Sequence, residues 1–293
     1  MQLIRMKMKQ TLLLAIMTVS VLIAAAQNGP DTLVINGVTV IRDNKPIEQE
    51  PKKGFFKSIR TKRNLKNIVT EWAMVDIGMS NFTDGTVYAA ADAQAYAPGS
   101  NEQWFATRYF KSRNINIWIV TQRYNLIRHF VNLQYGLGLE LNNYRFKNEV
   151  RFNPRTATDI TNPPVAYIDQ EPGRVYKKNK LAADYITVPL MLNFNFTPDR
   201  LYPFELSAGI SVGYLYASRN KIITSDEGKR KAKDNFDLDP WKLSYVGDLT
   251  LGVVTLYGSY AFKSMYTRGL DHTPYNFGIR LRPADFFNKI ESR

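Results

Sequence analysis

Val131-Asn132-Leu133-Gln134-Tyr135-Gly136-Leu137-Gly138-Leu139-Glu140-Leu141-Asn142-Asn143-Tyr144-Arg145-Phe146 is the stretch that decides the fold. From Val131 to Leu141 every second residue is apolar or aromatic, and the residues between them, Asn132 to Asn142, are polar or glycine. A period of two belongs to an extended strand whose alternate side chains meet different surroundings. The run is also long enough for a tilted strand to cross a bilayer, which takes roughly ten residues.

The same alternation recurs along the chain. Ala73, Val75, Ile77 and Met79 oppose Met74, Asp76, Gly78 and Ser80. Ile115, Ile117 and Ile119 oppose Asn114 and Asn116, with Trp118 as the exception. Ile186 to Phe196 and Leu206 to Tyr216 repeat the pattern, with Pro189 the awkward residue because it removes a ladder donor and predicts a bulge or locally broken pairing. Trp241 to Leu251, Leu256 to Phe262 and Tyr275 to Leu281 complete eight candidate strands. Connections between them alternate in length. Thr83–Ser112, Lys147–Ala183, Ala217–Pro240 and Lys263–Pro274 are long; Tyr124–Phe130, Thr197–Pro203 and the turn near Val253–Val254 are short. Outer-membrane barrels place short turns in the periplasm and long loops outside. A soluble sandwich has no reason to alternate so regularly, and long structureless loops count against one. The expected fold is therefore all-β, an eight-stranded antiparallel up-and-down transmembrane barrel. Trp72, Phe82, Tyr124, Tyr144, Phe146, Tyr202, Phe204, Tyr214, Tyr216, Trp241 and Phe262 lie near strand ends, where interfacial girdles form.

Arg5, Lys7 and Lys9 precede an apolar run, Thr11 to Ile23, and Ala24-Ala25-Ala26 offers a cleavage site, so residues 1–26 read as a secretory signal peptide. A lipid anchor would need a cysteine after that site, and the chain has none. Removing Arg5, Lys7 and Lys9 takes the formal net charge of +13 to +10. For an exported protein that surplus points to anionic lipid and lipopolysaccharide rather than nucleic acid. The mean hydropathy of −0.30 does not exclude a membrane, because lipid-facing and lumen-facing residues cancel in the average. Residues 27–71 read as a periplasmic extension with a β-like segment at Leu33–Ile41, residues 72–283 as the barrel and residues 284–293 as a tail. Within the extension Lys52, Lys53, Lys57, Arg60, Lys62, Arg63 and Lys66 accompany apolar residues near helical spacing. They form either an interfacial helix on anionic headgroups or a solvated segment.

From Trp72 to about Pro283 the chain resembles the PorT-like outer-membrane β-barrel family of Bacteroidota. The resemblance is carried by Asp76-Ile77-Gly78-Met79-Ser80-Asn81-Phe82, Tyr135 to Tyr144, Tyr185-Ile186-Thr187-Val188-Pro189-Leu190 and Pro203 to Gly209. The last strand, Asn276-Phe277-Gly278-Ile279-Arg280-Leu281, looks like a signal read by barrel-assembly machinery, although Pro283–Arg293 follows it. The resemblance implies location and architecture, allows a role in a secretion apparatus, and supplies no catalytic residues.

No constellation for catalysis, cofactor binding or metal ligation stands out. Gly209-Ile210-Ser211-Val212-Gly213 matches a nucleophile elbow but lies inside a straight strand. Of the two histidines, His129 falls in a short turn, and His272 falls in an external loop, solvated or, with Ser264, the one candidate for lipid A chemistry. Asp76, Glu140, Glu205, Lys242, Asp248, Arg280 and Arg282 project into the lumen. A barrel this narrow is filled by its own side chains, so these charges must pair, either as a fixed plug or as a gate. The basic loop residues Lys229-Arg230-Lys231-Ala232-Lys233, with Arg174, Lys177, Lys178 and Lys180, read as mobile solvated charge or as a clamp on lipopolysaccharide phosphates. The expected role is structural or binding, as a monomer, with lipid, lipopolysaccharide, the assembly machinery and other envelope proteins as partners. A secretion component, a lipid A-modifying enzyme and a narrow gated channel are the alternatives.

Overall fold

A computed structural model describes residues 65–154, 164–200 and 202–281, together with the backbone of two short strands. Residues 1–26, Lys52, Lys53, Lys57, Arg60, Lys62, Arg63, Arg282 and the tail lie outside the described residues; Lys66 is described and exposed. The two short strands, β1 (Leu33–Ile35) and β2 (Val38–Val40), pair antiparallel inside the expected β-like segment.

The chain divides into two compact units, Met1–Phe55 and Phe56–Arg293, and the second contains the barrel. Its strands are β3 (Ile68–Asp84), β4 (Arg113–Ile127), β5 (Val131–Arg145), β8 (Tyr176–Asn195), β9 (Phe204–Thr224), β11 (Trp241–Leu251), β12 (Val254–Ala261) and β13 (His272–Leu281). Each pairs antiparallel with its neighbour in chain order, β8 pairs with β9, and β13 returns to β3, giving a closed ring of eight. Closure leaves no lipid-exposed edge, the condition for a sheet to span a bilayer. The first strand begins at Ile68, ahead of the expected Trp72. The alternation sorts the side chains as anticipated: Ile186, Val188, Leu190 and Leu192 face out, and Thr187, Met191, Asn193 and Asn195 are buried inside.

Tight connections join the strands at one end. Arg128 and His129 take φ of 46° and 60° in the β4–β5 turn, and Gly252 takes 65° between β11 and β12. His129 sits in a turn, as its sequence context suggests. Pro189 keeps its pairing with Ser211 of β9, whereas the β5–β8 ladder is interrupted opposite it, between Tyr135↔Leu190 and Gly138↔Thr187. A missing N–H breaks the ladder on one side only, and no register shift is needed.

Trp118 is explained by irregularities in two adjoining strands. β4 shifts register between Trp118 and Val120, and Ala73 in β3 takes a φ of 54°. The extra residue switches the inward phase of β4 from Asn114, Asn116 and Trp118 to Thr121, Arg123 and Asn125.

The long connections are more ordered than expected. β8 and β9 continue past the apolar belt, so residues 176–183 and 217–224, expected as loop, are paired strand. β10 (Lys229–Lys233) adds to β9, β6 (Val150–Phe152) pairs with β7 (Ala166–Ile168), and α1 (Ala91–Tyr96) lies between β3 and β4. Together they bury one apolar core made of Tyr96, Phe105, Phe152, Leu181, Phe236 and Tyr266, among others. This core corrects the girdle assignment of Phe82, Tyr144 and Phe146. Tyr144 and Phe146 are buried in the core and Phe82 packs against it, because a strand end that points inward meets the cap and not the lipid interface. Trp72, Tyr124, Tyr214, Tyr216, Trp241 and Phe262 do face outward.

Candidate functional site

Three layers of paired charge fill the lumen. Nearest the short turns, Arg123 Nη1 lies 2.7 Å from both carboxylate oxygens of Glu205. Asn195 and Asn193 also donate to Glu205, at 3.0 and 3.4 Å. In the middle, Arg280 bridges two acids. Its Nε and Nη2 donate to Asp76 at 2.7 and 3.1 Å, and its Nη1 donates to Asp248 at 2.6 Å. Trp118 Nε1 and Asn116 Nδ2 donate to the Asp76 oxygen Oδ2 at 2.7 and 3.2 Å, and the guanidinium lies 5.8 Å from the Trp118 ring centre. Toward the outer end Lys242 donates to Glu140, which also accepts from Asn142 and Asn276 at 3.0 and 2.9 Å. The Lys242 ammonium lies 5.6 Å from the centre of the Tyr185 ring.

All these groups are in a low-dielectric interior, where an unpaired charge is far more costly than in water. Each acid therefore sits within reach of a base, and Asp76, Glu140 and Glu205 also accept from side-chain amides. The space left between the layers is small. A cavity of about 40 Å³, lined by Asp76, Trp118, Glu140, Asp248, Tyr257 and Arg280, has room for little more than a water. Above the third layer the aromatic cap begins with Tyr144 and Tyr185.

Asp76, Glu140, Glu205, Lys242, Asp248 and Arg280 all point inward, as the alternation indicates. Trp118 lies in the inward phase set by Asn114 and Asn116, whereas the direction of Arg123 is hidden in the sequence by the phase switch at Ile119. The readable clue is that Thr121, Arg123 and Asn125 alternate with Tyr124 and Leu126 in the opposite phase from Asn114 and Asn116.

His272 corrects the loop assignment. It opens strand β13, is fully buried, and stacks on Phe82 at 4.0 Å with Phe105 and Tyr266 edge-on at 5.3 and 5.4 Å. Its Nε2 is 3.5 Å from Asp84. Ser264 donates to the Leu270 carbonyl at 3.0 Å and accepts from the N–H groups of Tyr266 and His272 at 3.1 Å each. That hydroxyl is engaged by backbone and makes no hydrogen bond to the imidazole. Ser211 is buried within β9 in extended backbone, not on a strand-to-helix turn.

The outer charges divide into two groups. Arg174 is held by Asp169, Asp226 and Glu227 at 2.7, 2.8 and 3.2 Å, and Arg151 by Asp169 and Glu227 at 2.8 and 3.0 Å. Burial works to raise the Asp169 carboxyl, but hydrogen bonds from Tyr176 and Arg174 outweigh it and hold that group below the usual carboxylate range. Arg174 is thus a structural tie and not mobile charge. The lysines of β8 and β10 are the other group, and they are carried on paired strands.

The family model described as outer membrane protein beta-barrel domain matches residues 92–272. The chain belongs to that family. Two solved structures are similar in part. Neisserial surface protein A is 10% identical over 74% of this chain and 97% of its own, with a TM-score of 0.29. Ail, the attachment invasion locus protein of Yersinia pestis, is 10% identical over 74% of this chain and 100% of its own, also at 0.29. No curated protein matches the sequence.

Proposed function

We propose that this family member is a closed, non-conducting barrel that acts without chemistry of its own, binding partners through the folded platform at its outer end. The observation that carries this reading is the filled axis: three ion-paired layers lie beneath an aromatic core, and the cavities between them, of about 40 and 10 Å³, are each too small to form a path. Moving the layers aside to open a path would strand buried charges, which opposes gating. Reconstitution in a planar bilayer tests it. The expected trace is flat, and a reproducible unit conductance overturns the reading in favour of a channel.

The absence of a catalytic step in this proposal is supported by His272 and Ser264. The one is enclosed by aromatic rings and the other is occupied by backbone. Mass spectrometry of lipid A with and without the protein checks this, and an altered acyl pattern would count against it. In the cell the reading further includes export by the signal peptide at residues 1–26, insertion by barrel-assembly machinery in a Gram-negative envelope, and contact with lipopolysaccharide and other envelope proteins. The narrower alternative is a PorT-like component of a secretion apparatus, suggested by the motif resemblance at Asp76–Phe82 and Tyr135–Tyr144. Loss of surface-protein export in a deletion strain would favour it.

A further inference from the structure

Four cations stand in one register across four neighbouring strands. Arg145 of β5 is the partner of Lys180 of β8, Lys180 of Lys221 of β9, and Lys221 of Lys231 of β10. Tyr144, Phe146, Asn179, Leu181, Asn220 and Ile222, which flank the first three, are buried, and Ala232 beside Lys231 packs against the cap core, so the row points away from the barrel axis. That is the same outward side as the lipid belt. The registers on either side add Lys229 opposite Ile223, itself opposite Lys178, and Lys233 opposite Arg219.

Like charges placed directly opposite in adjacent strands repel. Arg219 is relieved by Asp184 at 2.6 Å, but among the described residues none of the four in the row forms an ion pair. The Lys180 ammonium donates to Asn143, and Arg145 donates to the carbonyl of Lys177 at 2.8 Å. These neutral acceptors do not cancel the repulsion, and the charge of Asp184 offsets it only in part at Lys180. Burial, followed by the charges of Lys178, Arg219 and Lys221, pushes the Lys180 ammonium down to about 8. Lys221 is lowered as well, by burial and then by Lys178, Lys229 and Arg219.

The height of the row selects its counter-ion. The outward apolar face ends at Ile186 on β8 and Tyr216 on β9. At about 3.3 Å per residue an extended strand rises roughly 20 Å from Ile186 to Lys180 and roughly 16 Å from Tyr216 to Lys221. A tilt of about 40° reduces these to roughly 12–15 Å along the membrane normal. The headgroup layer of a phospholipid leaflet is only about 5–8 Å thick. Phosphates at the height of the row must therefore be carried on sugars that stand above the acyl chains. Strands about 4.8 Å apart make the row roughly 14 Å wide, enough for more than one phosphate.

We propose that the outward row Arg145–Lys180–Lys221–Lys231 binds the phosphorylated saccharide headgroup of lipopolysaccharide packed against the barrel. The ammonium groups offer three donors each, and the guanidinium at one end can grip a phosphate through two parallel bonds. The site rests on the reading that the long connections face outward, and it does not depend on whether the lumen conducts.

The test uses the full-length barrel in neutral detergent, with its thermal midpoint followed by the heat-modifiable gel band. Truncated, phosphorylated lipopolysaccharide should raise the midpoint saturably. The same lipid after dephosphorylation, phosphatidylglycerol at equal charge, and inorganic phosphate should not. Combined Lys180→Gln, Lys221→Gln and Lys231→Gln should weaken the response by roughly a hundredfold, while lysine-to-arginine changes at the same positions retain it. Should the triple variant fail to fold, Lys221→Gln and Lys231→Gln singly must each weaken it. An equal response to the dephosphorylated lipid, to phosphatidylglycerol or to free phosphate overturns the site, as does a glutamine variant that still responds fully. A conducting barrel that keeps the response would sink the closed-lumen reading and leave this one standing.

Discussion

Asp76 and Arg280 are direct partners in the register that joins β3 to β13, so the ion pair at the middle of the lumen also spans the seam where the ring closes. A slip of one residue at that seam would turn Arg280 into lipid, which costs about 2–4 kcal/mol near the midplane. The pair therefore fixes which closed ring forms.

Arg280→Met is accordingly expected to cost about 3–5 kcal/mol, because it leaves Asp76 and Asp248 buried without their shared cation. Urea unfolding in detergent micelles measures it. Asp248→Asn in the same background should recover part of the loss, since the two sites share a partner.

Trp118→Phe removes the N–H donated to Asp76 at 2.7 Å, and its smaller ring leaves some buried space besides. A hydrogen bond to a charged group contributes about 1.5–3 kcal/mol, and that is the expected destabilisation in the same assay. No change would mean that Arg280 and Asn116 alone satisfy the carboxylate.

How much of this was legible in sequence follows from which property carries it. The side on which Asp76, Glu140, Glu205, Lys242, Asp248 and Arg280 project is a local consequence of extended backbone, so alternation reveals it. Who pairs with whom is not local. Asp76 and Arg280 are 204 positions apart, and their meeting depends on the closing register. Arg123 was hidden by a single bulged residue that reverses the phase of β4. The burial of His272 is not legible because Asp271-His272-Thr273-Pro274 has loop composition, yet the position is flanked in space by Phe82, Phe105 and Tyr266. The ordered cap escaped for the same reason: its core draws on segments from several connections, each too short to show a period.

At the seam, Gly78 lies opposite Gly278. A Cβ on Gly278 would fall 2.3 Å from the Ile77 carbonyl oxygen, and one on Gly78 would fall 2.2 Å from that of Phe277. Gly278→Val is expected to prevent closure, so that the refolded protein loses its heat-modifiable shift. A variant that still shows the compact band at wild-type yield would contradict this.

Lys180 gives a pH prediction. Its ammonium is lowered to about 8 from an ordinary value of 10.5, at residues 176–184 of β8, which lie beyond the apolar belt. Between those values the folded state holds fewer protons than the unfolded one, so stability rises with pH through this window. The penalty is fully present below about 8 and is relieved toward 10.5. The thermal midpoint of lipid-free barrel should climb from pH 7.5 to 10 by more than that of Lys180→Met, and parallel profiles would rule the effect out.

Phe105 is buried in the cap core, and its ring meets those of Phe146, Phe152 and His272. Phe105→Ala should cost about 3–5 kcal/mol within the cap. Limited proteolysis is expected to cut near residues 85–112 while the membrane-embedded strands stay protected; uniform loss of both would show that the two parts melt together.

Because β8 and β9 run without interruption from the bilayer into the cap, the same two strands obey opposite solvent conventions along their length. Within the hydrocarbon they turn oil outward and charge inward; beyond it they turn charge outward and oil inward. A detergent shell is required only by the lower stretch. The upper stretch meets water as an ordinary globular surface would, so antibodies or proteases approaching from outside encounter a compact folded body and not loose loops.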